Sequence, residues 1–237
     1  GNVIVGSTGA GIMALSFYVE QISHSIAANK TAFIGNEIGN VGVFNIYELG
    51  NSNLGIDLAS AQDSSIPYDF IPDSFSETGP TPNDVGDGDT GPNGFINTPV
   101  LKTAQQVGNQ LTITYDLDAD DAEEPANEYR VEFFANDESS IFGYGPGETY
   151  LGSVTITPGT DKTAVLTVGA DYYNKALSST TTAVDSTTSS GFGSTSEFSQ
   201  NISIGSASDF DSDGADDSIE DNAPNNGDGN NDGTPDR

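Results

Sequence analysis

The segment Leu111-Thr112-Ile113-Thr114-Tyr115-Asp116-Leu117 alternates apolar and polar residues without a break. A period of two places every second side chain on the same face of a β-strand, so one face of this segment is apolar and the other is polar. Residues 129–133 and 153–157 alternate in the same way. Each of these segments therefore predicts a strand that buries one face against a core.

Three more strand-like runs lie at residues 164–168, 180–184 and 198–204, and turns rich in Gly, Ser and Asp separate them. About seven short strands in a domain of about 100 residues are typical of an immunoglobulin-like fold. We therefore predict that residues 98–205 form an immunoglobulin-like β-sandwich.

Residues 1–97 have a different pattern, in which short apolar runs alternate with Gly, Asn and Ser. The phrases at residues 33–43 and 46–58 each contain a short strand, a corner of Gly and Asn, and a second short strand. Short repeats of this kind are typical of a right-handed parallel β-helix, in which aliphatic side chains stack inward and Gly and Asn take the corners. We predict that residues 1–97 are the end of such a β-helix, with residues 59–79 as a lid over its last coil.

Residues 206–237 form an acidic tail with regularly spaced oxygen ligands. In residues 209–220, acids occupy the first, third, fifth, ninth and twelfth positions, and Gly214 at the sixth allows a sharp turn. This spacing suits Ca²⁺, which takes about six to eight oxygens. A second loop begins at Asp228 and reaches Arg237 before its twelfth position. The predicted ligands are Asp209, Asp211, Asp213, the carbonyl of Ala215, Asp217 and Glu220 in the first loop, and Asp228, Asn230, Asp232, Thr234 and Asp236 in the second. The tail resembles the thrombospondin type 3 calcium repeats of secreted proteins.

A solvated, disordered acidic segment is the alternative for this tail. Carboxylates about 4 Å apart repel each other by roughly 4 kcal/mol per pair at an effective dielectric constant near 20. Acids at fixed offsets are stable when a cation lies between them. We therefore expect calcium to order the tail.

The charge of the chain is almost entirely acidic. Lys and Arg number 6 against 36 Asp and Glu, so the net charge is −30. A surface of this sign repels nucleic acid and anionic membranes, and cations are the expected partners. No stretch approaches the roughly 18 apolar residues of a membrane span, and the chain has no cysteine for a disulfide. Adaptation to high salt is a rival explanation, but the acids cluster at residues 84–89, 116–124 and 209–236.

Several phrases carry a resemblance to a known family. They are TPNDVGDGDTGPNGFINTPVL at residues 81–101, GYGPGETYLG at residues 143–152 and STSEFS at residues 194–199. They resemble the exit segment and the following sandwich of bacterial cell-surface right-handed parallel β-helix repeat proteins. The resemblance implies a protein displayed outside the cell. The inserts at residues 59–79 and 118–124 depart from that family.

Two acidic stretches outside the tail are candidate calcium sites. Asp84, Asp87, Asp89 and Asn93 could surround an ion where the two predicted domains meet, and an Asx-rich turn without an ion is the alternative. The stretch at residues 118–124 could likewise bind calcium or form a solvated loop.

An enzyme is the alternative function, because parallel β-helices include polysaccharide lyases and hydrolases. Those sites need a row of acids, often with Arg or Lys, on neighbouring strands of one face. Glu37, Glu48 and Asp57 are the only acids on the repeated phrases, and His24 has no evident partner. We therefore predict a protein without catalytic residues.

The function expected from the sequence is that of a non-enzymatic extracellular structural protein. It would be either a calcium-stabilised stalk or adhesin of the cell surface, or the subunit of a self-assembling extracellular filament. Calcium ions are the expected ligand, and carbohydrate or matrix ligands are further candidate partners. Because the chain begins within the coil pattern, its first coil would expose an unpaired edge. We expect either upstream coils in a longer protein or a neighbouring subunit packed head to tail.

Overall fold

The computed structural model describes residues 3–4, 12–19, 24–26, 32–34, 37–38, 56–61, 80–88, 92–119, 126–137 and 143–206. Its strands are β1 (Val3–Ile4), β2 (Ile12–Val19), β3 (His24–Ile26), β4 (Glu37–Ile38), β5 (Ile56–Ala61), β6 (Val100–Val107), β7 (Gln110–Leu117), β8 (Tyr129–Asn136), β9 (Thr149–Ile156), β10 (Gly159–Thr167), β11 (Ala176–Val184), β12 (Phe192–Thr195), β13 (Ile202–Ser203) and β14 (Gly205–Ser206). A short 3₁₀ turn spans Pro92–Phe95. The prediction of an all-β protein is confirmed.

Strands β6 to β14 form two sheets that face each other. Sheet I has the strand order β10-β7-β6-β14, and sheet II has the order β9-β8-β11-β12, with β13 also paired to β11. Neighbouring strands are antiparallel except for β6 and β14, which run parallel. The predicted strands at residues 111–117, 129–133, 153–157, 164–168 and 180–184 all fall on these elements.

The core lies between the two sheets and comes from alternate positions of their strands. On β7 the inward residues are Leu111, Ile113 and Tyr115, while the residues between them are more exposed. The ring of Tyr115 meets that of Phe133 on β8 edge to face, with centroids 5.5 Å apart. Burial also raises the pKa of Tyr115 to about 12. The alternation of residues 111–117 therefore predicted the inward face of this strand correctly.

For β8 the prediction of one exposed face is wrong. The side chain of Glu132 is fully buried although its neighbours Val131 and Phe133 face the core between the sheets. The central strand β11 is likewise buried along nearly its whole length. Both faces of sheet II are therefore covered, and the outer cover includes strand β5 from the N-terminal region.

The N-terminal strands pair over long sequence distances. Strand β2 is parallel to β5, with Ile12 beside Ile56, and β1 is parallel to β4, with Val3 beside Glu37. Strand β3 returns antiparallel along β2. Parallel neighbours need a connection of about a dozen residues or more, and the strands of both parallel pairs are farther apart than that in the sequence.

Candidate functional site at the junction of the N-terminal strands and the sandwich

Three aromatic side chains on the outer face of sheet II form the apolar part of the junction. Phe134 of β8 meets the ring of Tyr150 at 5.6 Å and the ring of Phe198 at 5.4 Å, both edge to face. Ile56 and Leu58 of β5 pack into the same cluster. Each fully buried large apolar side chain contributes about 1.5–3 kcal/mol. Strand β5 is therefore attached to sheet II through a small apolar core.

A buried carboxylate forms the polar part of the junction. Glu197 is 3% exposed. Its Oε1 accepts a hydrogen bond from the backbone N–H of Leu58 at 2.8 Å, and its Oε2 accepts one from the N–H of Thr81 at 2.6 Å. Hydrogen bonds to an ionised acceptor are roughly twice as strong as neutral ones. One side chain thus joins two separate N-terminal segments to the sandwich.

Thr195, at the end of β12, receives two further N-terminal segments. The amide Nδ2 of Asn93 donates to the Thr195 carbonyl at 2.9 Å, and the N–H of Phe33 donates to its Oγ1 at 2.9 Å. Asn93 lies in the turn Pro92–Phe95, where Asn93, Gly94 and Phe95 have φ values of 51°, 63° and 53°. A positive φ is uncommon for Asn and an outlier for a bulky residue such as Phe. The turn therefore holds a strained backbone that aims the Asn93 amide at β12.

An ion pair lies on the same outer face of sheet II. Arg130 and Glu132 are two residues apart on β8 and so share one face. Arg130 Nη2 lies 2.8 Å from Glu132 Oε1 and donates to the hydroxyl of Tyr150 at 2.9 Å. The guanidinium also lies over the ring of Phe192, 5.8 Å from its centroid. A buried carboxylate requires such partners, since burial of an unpaired charge is costly.

Hydroxyl groups complete the hydrogen bonding between β11 and the irregular chain that follows β12. Ser196 N–H donates to the Thr181 carbonyl at 2.8 Å, and its Oγ accepts from the Thr181 N–H at 2.9 Å. Ser199 makes the same pair of bonds with Ser179, at 2.8 Å and 3.0 Å. These side chains stand in for a backbone ladder where the strand is interrupted. The buried β11 is consequently rich in Ser and Thr.

The loop at residues 84–88, a predicted calcium site, uses its carboxylates as acceptors for backbone N–H groups. Asp87 is fully buried, and its Oδ1 accepts from the N–H of Asn97 at 2.9 Å. Asp84 Oδ2 accepts from Gly88 N–H at 3.2 Å, and Asp118 Oδ2 accepts from Gly86 N–H at 3.2 Å. Asn97 Nδ2 donates to the carbonyls of Asp84 and Asp118 at 2.8 Å and 2.7 Å. The loop is therefore pinned to the start of the sandwich.

The structure describes three of the four predicted ligands of this site. Asp84 and Asp87 share the loop, Asn93 donates its amide to Thr195, and Asp89 lies outside the described residues. In the part of the chain that the structure describes, no group of three His, Cys, Asp or Glu side chains is placed to hold a metal ion. Calcium binding at this loop stays a prediction, and in the structure the carboxylates of Asp84 and Asp87 accept backbone N–H groups.

Other predicted site residues are not described. Every predicted tail ligand, from Asp209 to Asp236, lies outside the described residues, as do residues 120–124. Of the acids considered for an enzyme, Glu37 is on β4 and Asp57 on β5, which belong to different sheets, and Glu48 is outside the described residues.

An exposed ion cluster joins three strands of sheet I. Lys102 Nζ lies 2.7 Å from Asp116 Oδ1 and 2.7 Å from Asp161 Oδ1. The hydrogen bond that Lys102 donates to Asp116, followed by the one that it donates to Asp161, raises the pKa of Lys102, and the bond from Lys102 lowers the pKa of Asp116. The cluster therefore connects β6, β7 and β10 at one end of the sheet.

Sequence reasoning did not predict the junction contacts of Thr195 and Glu197. Both lie in the phrase at residues 194–199 that carried the family resemblance. Residues 194–199 contain one charged residue among Ser, Thr and Phe, and this composition was the available signal, because a buried acid needs a partner. Asn97, which helps to hold the loop at residues 84–88, was also not predicted, and Asp118 was considered only as part of the acidic stretch at residues 118–124.

Comparison of the chain with models of known protein families and with curated proteins gives no match. Among the described residues, no helix has the length and apolar character needed to cross a bilayer.

Proposed function

We propose that this chain is a non-enzymatic structural protein of the cell exterior, in which an end segment of parallel-stranded coils, a sandwich and a calcium-binding tail follow each other in series. The observation that carries the proposal is the junction, where Glu197 and Thr195 bind four separate N-terminal segments through Leu58, Thr81, Asn93 and Phe33. A structural protein needs such continuity between its parts, whereas a flexible linker would suffice for independent binding modules.

The strand order supports an immunoglobulin-like assignment for the sandwich. With β6 to β10 lettered A, B, C, C′ and E, and with β11 and β12 lettered F and G, sheet I contains A, B and E and sheet II contains C′, C, F and G. This arrangement is shared by several sandwich domains of cell-surface proteins. The parallel pairs β1–β4 and β2–β5 support coils in the N-terminal region, although β3 departs from a purely parallel stack.

Calcium is the proposed ligand of the tail, through the carboxylates of residues 209–220 and 228–236. The net charge of −30 favours cation uptake on electrostatic grounds. Binding to the ordered state alone would stabilise that state by about 2.7 kcal/mol when free calcium is 100 times the Kd. A structural role outside the cell fits a ligand of this kind, because extracellular calcium sites function at high ion concentrations.

The calcium proposal is tested by calorimetric titration of the full chain. The variant with Asp209→Asn, Asp211→Asn and Asp213→Asn removes three carboxylates from the first loop, and Glu128→Gln, on an exposed residue of the sandwich, is the matched control. We expect the control to take up calcium as the unmodified chain does and the triple variant to lose the uptake of the first loop. Absence of calcium uptake by the unmodified chain would refute this part of the proposal.

Light scattering and electron microscopy of the same samples separate the two structural roles. Fibres that form in millimolar calcium and dissolve on chelation identify a filament subunit. Single particles of constant mass in both conditions identify a stalk or adhesin segment.

A further inference from the structure

We propose that the terminal strand run, residues 192–206 with β12, β13 and β14, is a mechanical clamp that resists force applied between the N-terminal strands and the tail. This inference deepens the proposed structural function and rests on it. Hydrogen bonds and one buried side chain hold this run to both sheets.

The parallel pairing of β14 with β6 determines how the clamp is loaded. Gly205 lies beside Gln105 and Ser206 beside Gln106. Both strands run in the same direction, so force on the chain before β6 and after β14 pulls the two strands along their length in opposite directions. Hydrogen bonds between strands lie across that direction. They are therefore sheared together rather than opened one at a time.

The other described strand pairs of the sandwich are antiparallel. In an antiparallel hairpin, force on the two free ends acts at the same end of the pair and opens its bonds in sequence. The parallel pair thus lies where the chain enters and leaves the sandwich, which is the position that an external force reaches first.

The terminal strand run is also anchored to both sheets. On sheet II, Ile202 pairs with Leu177 of β11. The next residue but one, Ile204, is fully buried in the core, donates its N–H to the Lys175 carbonyl at 2.9 Å and accepts from the Asn174 N–H at 2.9 Å. Withdrawal of β14 therefore requires the side chain of Ile204 to leave the core.

The junction brings force to the same run by a second route. Glu197 and Thr195 lie within it and accept hydrogen bonds from Leu58, Thr81 and Phe33. Tension on the N-terminal strands therefore reaches residues 195–197 directly, as well as β6 through the chain. Only the force that arrives through β6 shears the run against its neighbour, because the force on residues 195–197 pulls on the run itself.

Single-molecule force measurements on the full chain test the clamp in two pulling geometries. The chain has no cysteine, so Val85→Cys or Asn109→Cys gives a unique handle, with the second handle at the C-terminus. Val85 is 96% exposed and precedes β6, so this handle shears the β6–β14 pair. Asn109 follows β6 at the end where β14 also finishes, so this handle peels the pair apart. We expect a several-fold higher unfolding force with the Val85 handle, and equal forces would overturn the proposal.

A pair of core substitutions gives an independent test in the Val85 geometry. Ile204→Ala removes the anchor of the terminal strand run, and Leu166→Ala removes a core side chain from β10 on the far side of sheet I. Equilibrium denaturation measures how far each substitution lowers the free energy of unfolding. Relative to that loss, we expect Ile204→Ala to lower the unfolding force more than Leu166→Ala does. If Ile204→Ala fails to fold, Ile204→Val and Leu166→Val take their places. Equal losses of unfolding force in the two variants would contradict the clamp. Failure of the chain to bind calcium would contradict only the proposed function.

Discussion

At the scale of single residues, Glu197 decides whether the N-terminal segments stay attached to the sandwich. Glu197→Gln replaces one acceptor oxygen with an NH₂ group, so either the Leu58 or the Thr81 N–H faces a donor. A buried unsatisfied donor costs about 1–3 kcal/mol. We expect the free energy of unfolding, measured by urea titration, to fall by that amount. Glu128→Gln, on an exposed residue, should change the free energy of unfolding by no more than about 0.5 kcal/mol. An equal effect of both variants would show that Glu197 does not stabilise the junction.

Gly147 is a second residue on which the junction depends. Its φ is +93°, and a Cβ at this position would lie 2.6 Å from Cε1 of Phe198. Gly147→Ala therefore combines backbone strain of about 1–2 kcal/mol with displacement of a packed ring, which costs about 1–3 kcal/mol more. Gly191 has a similar φ of +79° with no atom near its Cβ position, so Gly191→Ala shows the backbone strain alone. The midpoint of thermal unfolding should be lower for Gly147→Ala than for Gly191→Ala. Identical midpoints would show that the ring of Phe198 moves aside without cost.

At the scale of elements, the Lys102 cluster makes the association of β6, β7 and β10 dependent on pH. The pKa of Asp116 is lowered in the folded state, so its contribution is present above about pH 4 and is lost as pH falls through the folded pKa. The pKa of Lys102 is raised, so its contribution is present below about pH 10 and is lost as pH rises through the folded pKa.

Lys102→Met tests this pH dependence, since Met keeps much of the side-chain length without the charge. We expect the difference in unfolding free energy between the unmodified chain and Lys102→Met to be constant near neutral pH and to shrink at both extremes. Urea titrations across the pH range measure it. Lys162→Met, which alters a neighbouring lysine of β10, is the matched control, and a difference that does not vary with pH would argue against the cluster.

The elements also show how far the sequence predicts this fold. Alternation at residues 111–117 identified β7 and its inward face, because one face of sheet I meets the core and the other meets solvent. The same alternation at residues 129–133 predicted β8 but not its second buried face, since a cover supplied by β5 leaves no periodic signal in β8. The burial of Glu132 was not predicted, because it depends on the ion pair of this acid with Arg130. Long-range contacts of single polar residues, such as Glu197 with Thr81, have no signature in local pattern.

At the scale of the whole molecule, the covered outer face of sheet II predicts that the N-terminal strands and the sandwich unfold together. The amides of Leu58 and Thr81 donate to a buried carboxylate held on the sandwich, so they open only when the junction does. Hydrogen exchange by mass spectrometry should therefore show residues 56–61 and 80–88 opening with a free energy close to that of β8 and β11. In Glu197→Gln the N-terminal peptides and those of β7 should all exchange faster, because one unfolding reaction exposes both regions. A joint rigid structure requires the junction to be as stable as the core that it covers. If the N-terminal peptides of the unmodified chain exchange faster than β8 and β11 do, the two regions are therefore independent modules.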